Sequence, residues 1–101
     1  MDNILEALKA ISDDKRYRII NLLLQHNFCV KALAKRLDLS EAAISQHLKV
    51  LRKAGLVKGE KIGYYTHYSV NRDLLNEISI NIKEMAELNE NQGSRCDNST
   101  E

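Results

Sequence analysis

Between Val30 and Leu56 the chain carries two blocks of apolar positions at helical spacing, separated by three residues. Leu33, Leu37, Leu39, Ile44, Leu48 and Leu51 can all turn inward, and Ala34 is small enough to let two helices cross closely. Glu41, Ser45, Gln46, Lys49, Arg52 and Lys53 are left outside. Asp38-Leu39-Ser40 reads as the turn, with Ser40 as an N-cap whose hydroxyl can accept a bond from an unpaired helix amide. Gly55 reads as the stop, because glycine tolerates the left-handed conformation that follows a helix. A short polar-faced helix held across its partner by a tight turn has the shape of the DNA major groove. The pattern predicts a helix-turn-helix whose second helix reads sequence.

The flanks extend this picture. Asn3 to Ile11 carries Ile4, Leu8 and Ile11 at helical spacing with Leu5 beside them, and Ser12-Asp13-Asp14 breaks the helix and caps the next. Lys15 to Gln25 is densely apolar, as in a central helix touched on several sides. After Gly55 the period changes: Leu56 to Ile62 and Tyr64 to Val70 read as two short strands around Gly63, a hairpin that forms a wing. In the second strand Tyr68 is the expected core residue. Asn71 caps a last helix, Arg72 to Asn89, striped by Leu75, Ile78, Ile82 and Met85 and widened by Leu74 and Leu88. From there the chain is polar. The expected organisation is one domain over residues 1–90 and a disordered tail over residues 91–101. The fold class is mainly α with a small β-hairpin, in the order ααααββα.

Composition changes the picture only where charge is divided along the chain. The net charge is +1, yet Lys31 to Lys61 holds eight basic residues against three acidic ones, a local +5. From Glu84 onward five acids face only Arg95. A basic segment that coincides with the helix-turn-helix is the footprint of a phosphate partner. At 101 residues a single core is modest, so subunit association would help stability. Met1-Asp2-Asn3 starts no apolar leader, and no apolar run approaches the roughly 18 residues of a membrane span. A cytoplasmic protein without membrane partners is expected. Cys29 and Cys96 are too few and too far apart for a disulfide framework.

Residues and order together resemble the arsenic-repressor (ArsR-type) winged-helix transcriptional regulators of prokaryotes, over about Ile4 to Leu88. The strongest segment is SEAAISQHLKVLRKAGLV, Ser40 to Val57, which matches the family's recognition helix almost throughout. Lys15-Arg16-Tyr17-Arg18-Ile19-Ile20 and Gly63 with Tyr68-Ser69-Val70 support it. The resemblance implies a homodimer built on the first and last helices, a repressor released from an imperfect palindromic operator by an inducing signal. Ile4, Leu5, Leu8, Leu75, Ile78, Ile82 and Met85 are the expected dimer contacts. A two-fold dimer sets equivalent helices in successive major grooves, ~34 Å apart.

The expected DNA contacts are Ser40, Ser45, Gln46, His47, Lys49 and Arg52, with Lys61 and Tyr64 from the wing. Gln46 offers a donor and an acceptor to an adenine edge, and the hydroxyls suit phosphates or bases. His47 has two open roles, reaching phosphate or packing between Ile44 and Leu51. Glu41 stands where the family often has a neutral amide; it would repel phosphate or select a cytosine amine. Many family members bind metal or metalloid, and here the sequence departs. Where the arsenic-type site has Cys-Val-Cys, this chain has Cys29-Val30-Lys31, and no histidine follows Arg72. Four ligands for a closed zinc site are not in view, so no cofactor is expected. Cys29 is either a small buried hydrophobe with Cys96 incidental, or the two thiols sense oxidant or a soft metalloid. No nucleophile elbow, phosphate loop or paired-carboxylate signature supports an enzyme. The remaining class, a winged-helix protein-interaction module without DNA binding, is opposed by Lys49, Arg52, Lys53, Lys58 and Lys61.

Overall fold

The computed structural model describes residues 2–89. The expected polar tail and Cys96 lie outside the described residues. The elements run α1 (Asp2–Ile11), α2 (Asp14–Leu23), α3 (Val30–Leu37), α4 (Glu41–Lys53), β1 (Val57–Ile62), β2 (Tyr65–Val70) and α5 (Arg72–Glu87). Three of the five helix starts have a local cause. The Asp13 side chain accepts from the Arg16 amide, Ser40 from Ala43 and Asn71 from Leu74, so three helix N-termini each gain a partner for one amide. Asn71 also donates its amide to the Gly55 carbonyl at 3.0 Å, tying the end of α4 to the start of α5. Asn71→Ala should therefore lower stability by about 0.5–2 kcal/mol. A denaturant midpoint unchanged from wild type would contradict that role.

The turn between α3 and α4 is set by Asp38, the one non-glycine residue of positive φ (56°) among the described residues. A short polar side chain tolerates that conformation better than most. The Leu39 amide then returns to the Ala34 carbonyl at 3.0 Å. α3 and α4 pack on one another, and Ile19, Leu33, Ile44, Leu48, Leu51 and Leu56 form the fully buried centre beneath them. No polar or charged side chain among the described residues is buried with them.

The hairpin is antiparallel, in register from Val57 with Val70 to Ile62 with Tyr65. Gly63 (φ +66°) opens its two-residue turn. Its base is anchored by buried Val57 and Tyr68. A second anchor lies on the far edge of β2, where Cys29 bridges to His67 and the Tyr68 amide donates to the Phe28 carbonyl at 3.2 Å. The His67 ring donates from Nδ1 to the Asn27 carbonyl at 2.8 Å. The wing is thus fastened to the chain that enters α3.

The apolar residues of the end helices divide between the subunit core and its surface. Ile4 (7% exposed) and Ile78 (9%) were expected at a dimer interface, but both belong to the subunit's own core, and Leu8 and Leu75 pack against it. Ala7 and Ala10 of α1 are buried with Ile4, α1 and α5 are in contact, and the buried residues of α5, Leu74 and Ile78, lie in its first two turns. Of the expected set only Leu5 (58%), Ile82 (46%) and Met85 (67%) stay exposed, joined by Ile80 and Leu88.

Candidate nucleic-acid interface

α4 is amphipathic at every turn. Ile44, Leu48 and Leu51 hold its inner face, and Ser45, Gln46, Lys49, Arg52 and Lys53 are all exposed on the other. Thirteen residues at 1.5 Å rise make a rod of about 20 Å, long enough to lie in a major groove. Glu41 lies in the first turn, where the positive end of the helix dipole favours an acid, and Arg52 and Lys53 lie in the last turn, where it favours a base. This gives Glu41 a structural reason that needs no DNA contact.

Ser40, Lys61, Tyr64 and His47 are the other expected contacts. Ser40 is exposed at the N-cap with its hydroxyl already accepting from Ala43. Lys61 is exposed on β1, and Tyr64, 96% exposed, stands at the wing tip. Sequence-distant Cys29, Lys31, Glu41, Tyr64 and Tyr65 line one open groove between the wing and the start of the two motif helices. His47 is half-buried on the flank of α4, its Nδ1 3.3 Å from Nη1 of Arg16. Asp13 is adjacent in this arrangement. Its carboxyl is held below the ordinary range, first by the hydrogen bond from the Arg16 amide and then by the guanidinium charge.

Two residues here escape a reading of the sequence alone. Val50 is exposed among Gln46 and Lys53 on the outer face, although as an apolar residue it reads as core; the spacing 46, 50, 53 is its only signal. Arg16 is the other, and no local pattern marks it because its partner is 31 positions away.

Among the described residues no three His, Cys, Asp or Glu side chains come together where they could hold a metal ion. Cys29 is half-buried at the N-cap of α3, makes no side-chain cap bond, and has exposed Lys31 rather than a second thiol beside it. These residues do not fit the arsenic-type site.

A profile for the family described as bacterial regulatory protein, arsR family, matches residues 13–58. The transcriptional activator HlyU of Vibrio cholerae is 37% identical over 81 residues, covering 80% of this chain and 68% of HlyU. The transcriptional repressor SdpR of Bacillus subtilis is 33% identical over 81 residues, covering 80% of this chain and 86% of SdpR. Among solved structures, an ArsR-like transcriptional regulator from Rhodococcus sp. RHA1 superposes with a TM-score of 0.77 at 28% identity, over 84% of this chain and 80% of that one. HlyU from Vibrio cholerae does so with a TM-score of 0.69 at 30% identity, over 85% and 95%. No helix among the described residues is long and apolar enough to cross a membrane. A capped, outward-facing basic helix with a wing at its side, found in a chain with these relatives, identifies it as a member of the arsR family of bacterial regulatory proteins: a DNA-binding transcriptional regulator of winged helix-turn-helix fold, not an enzyme.

Proposed function

We propose that the chain forms a homodimer that reads an imperfect palindrome and acts as a cytoplasmic repressor, released from its operator by an inducing signal. The observation that carries this is the exposed outer face of α4, polar and basic at Ser45, Gln46, Lys49, Arg52 and Lys53, with Val50 among them. In this reading Gln46 contacts a base edge, while Ser40, Ser45, His47, Lys49 and Arg52 contact phosphates or bases around it. Lys61 and Tyr64 reach the backbone or minor groove beside it. Residues 1–90 form the functional unit, and Leu5, Ile82 and Met85 join two copies, with Leu8 and Leu75 at the seam. SdpR is named a repressor and HlyU an activator; a dimer that vacates its site on a signal represses wherever that site overlaps a promoter.

Gel shift at low and high salt tests the reading, because phosphate contacts make affinity fall steeply with salt. Absent or salt-insensitive binding would sink it in favour of a protein-interaction module. Gln46→Ala should reduce discrimination between operator and random duplex by about 1–3 kcal/mol. Lys61→Ala should weaken both duplexes alike and reduce the salt slope by about 1. Equal losses on both duplexes for Gln46→Ala would remove it as the base reader.

One observation favours a thiol as the switch. Cys29 pairs through its backbone with His67 of the wing, so strain at Cys29 reaches a DNA-contacting element directly. In this version an oxidant takes two electrons from the Cys29 and Cys96 thiols to form a disulfide, or a soft metalloid is captured between them. DNA release by oxidant or arsenite that persists in both Cys29→Ser and Cys96→Ser would leave the thiols without a sensing role.

A further inference from the structure

Arg16 is the second residue of α2 after Asp14, yet its half-buried side chain belongs to three helices. Its Nε donates to the Ala10 carbonyl in the last turn of α1 at 2.6 Å, and its Nη1 lies 3.3 Å from Nδ1 of His47 on α4. Its own amide is held by the Asp13 carboxylate at 3.0 Å, which fixes where the side chain starts. A guanidinium has donors and no acceptor. In this contact Nδ1 of His47 must therefore accept with its lone pair, which leaves the ring proton on Nε2, across the imidazole. A ring held by one nitrogen presents the other in a set tautomer and orientation, the same logic by which an outer-shell partner sets a metal-ligating histidine.

We propose that Arg16 is a positioning residue of the DNA reader: it locks His47 as the Nε2–H tautomer and presents that N–H to a phosphate oxygen beside the Gln46 contact. This rests on the DNA-reading role given to α4 above. Of the charged groups, Arg16 lies against the ring, and Asp13 is bonded to the Arg16 amide. Lys49 and Arg52 are exposed on the opposite flank of α4, so the phosphate met by His47 is not the one those cations meet. Because the same guanidinium holds the end of α1, a shift of α1 is passed to the tautomer and placement of His47.

The test uses full-length, 15N-labelled protein without DNA for the ring, and a duplex selected from a random library by the wild-type protein for binding. Long-range 1H–15N correlation should show His47 protonated on Nε2 with Nδ1 accepting, and Arg16→Lys should abolish the single-tautomer signature. Arg16→Lys keeps the charge but cannot hold both acceptors in the same geometry. It should weaken the selected duplex about tenfold, the loss of one charge-assisted hydrogen bond. In a His47→Ala background the same substitution should change affinity little, because the two act as a unit. His47→Gln, whose amide can place a donor near the Nε2 position, should retain more affinity than His47→Ala. A proton found on Nδ1, or an equal Arg16→Lys loss with and without His47, would overturn the proposal. Failure of the wild-type protein to bind any duplex, with the Nε2–H tautomer intact, would instead overturn the DNA-reading role of α4 and this use of His47 with it.

Discussion

Replacing Leu48 by alanine is expected to lower the unfolding free energy by about 2–5 kcal/mol, the usual effect of a large-to-small change in a packed core. Leu48 is 1% exposed and sits on the inner face of α4 between Ile44 and Leu51. The surrounding cluster is wholly apolar, so nothing there can rearrange to hydrate the space left behind. A domain of this size has about 5–15 kcal/mol of stability in total, so the substitution removes a large share of it. The melting midpoint should fall on the order of 10–30 °C at matched protein concentration. Leu48→Met, which nearly conserves volume, should cost less than about 1.5 kcal/mol. A melting curve unchanged by Leu48→Ala would mean that α4 does not turn this face inward, and the outward placement of Gln46 and Lys49 would fall with it.

The double substitution Ile82→Glu with Met85→Glu should separate the dimer while leaving the subunit folded. Both side chains are exposed on the second half of α5, beyond its buried residues Leu74 and Ile78. Burying an apolar side chain of this size is worth about 1.5–3 kcal/mol, and a two-fold interface uses each one twice. Introducing four carboxylates there should raise the dimer dissociation constant by at least about a thousandfold. Sedimentation should then report a monomer with an unchanged far-ultraviolet dichroism spectrum. Operator affinity should fall steeply, because two half-sites are no longer read by one linked particle. A sedimenting dimer in this variant would place the interface elsewhere. Ile78→Glu would be a poor substitute, since Ile78 is spent inside the subunit and its replacement attacks the fold.

Most of the fold was legible because its punctuation is local. Asp13, Ser40 and Asn71 each cap the helix they precede, and Gly55 and Gly63 each take the positive φ their turns require. α2 stops at Leu23 rather than Gln25, since the Gln25 and His26 amides both fold back to the Leu22 carbonyl and tighten the last turn. The first helix was harder. Its inner face is Ile4, Ala7 and Ala10, and alanine carries too little hydrophobic signal to show that α1 packs so closely.

What the amino-acid sequence determined by itself was the order of elements and the polarity of each helix face, because capping and 3.6-residue periodicity act within a few positions of one another. It placed Gln46 and Lys49 outward and Leu48 inward. What only the tertiary structure decided was which apolar stripe is used up inside the subunit and which polar groups meet across helices. Ile78 and Met85 lie on the same stripe, yet one is core and the other surface, because α5 buries residues only in its first two turns, at Leu74 and Ile78. Arg16 and His47 are both polar and unremarkable in sequence, and only the crossing of α2 with α4 brings a guanidinium donor to an imidazole lone pair. Such contacts depend on how whole helices cross, and no local period of the chain encodes that.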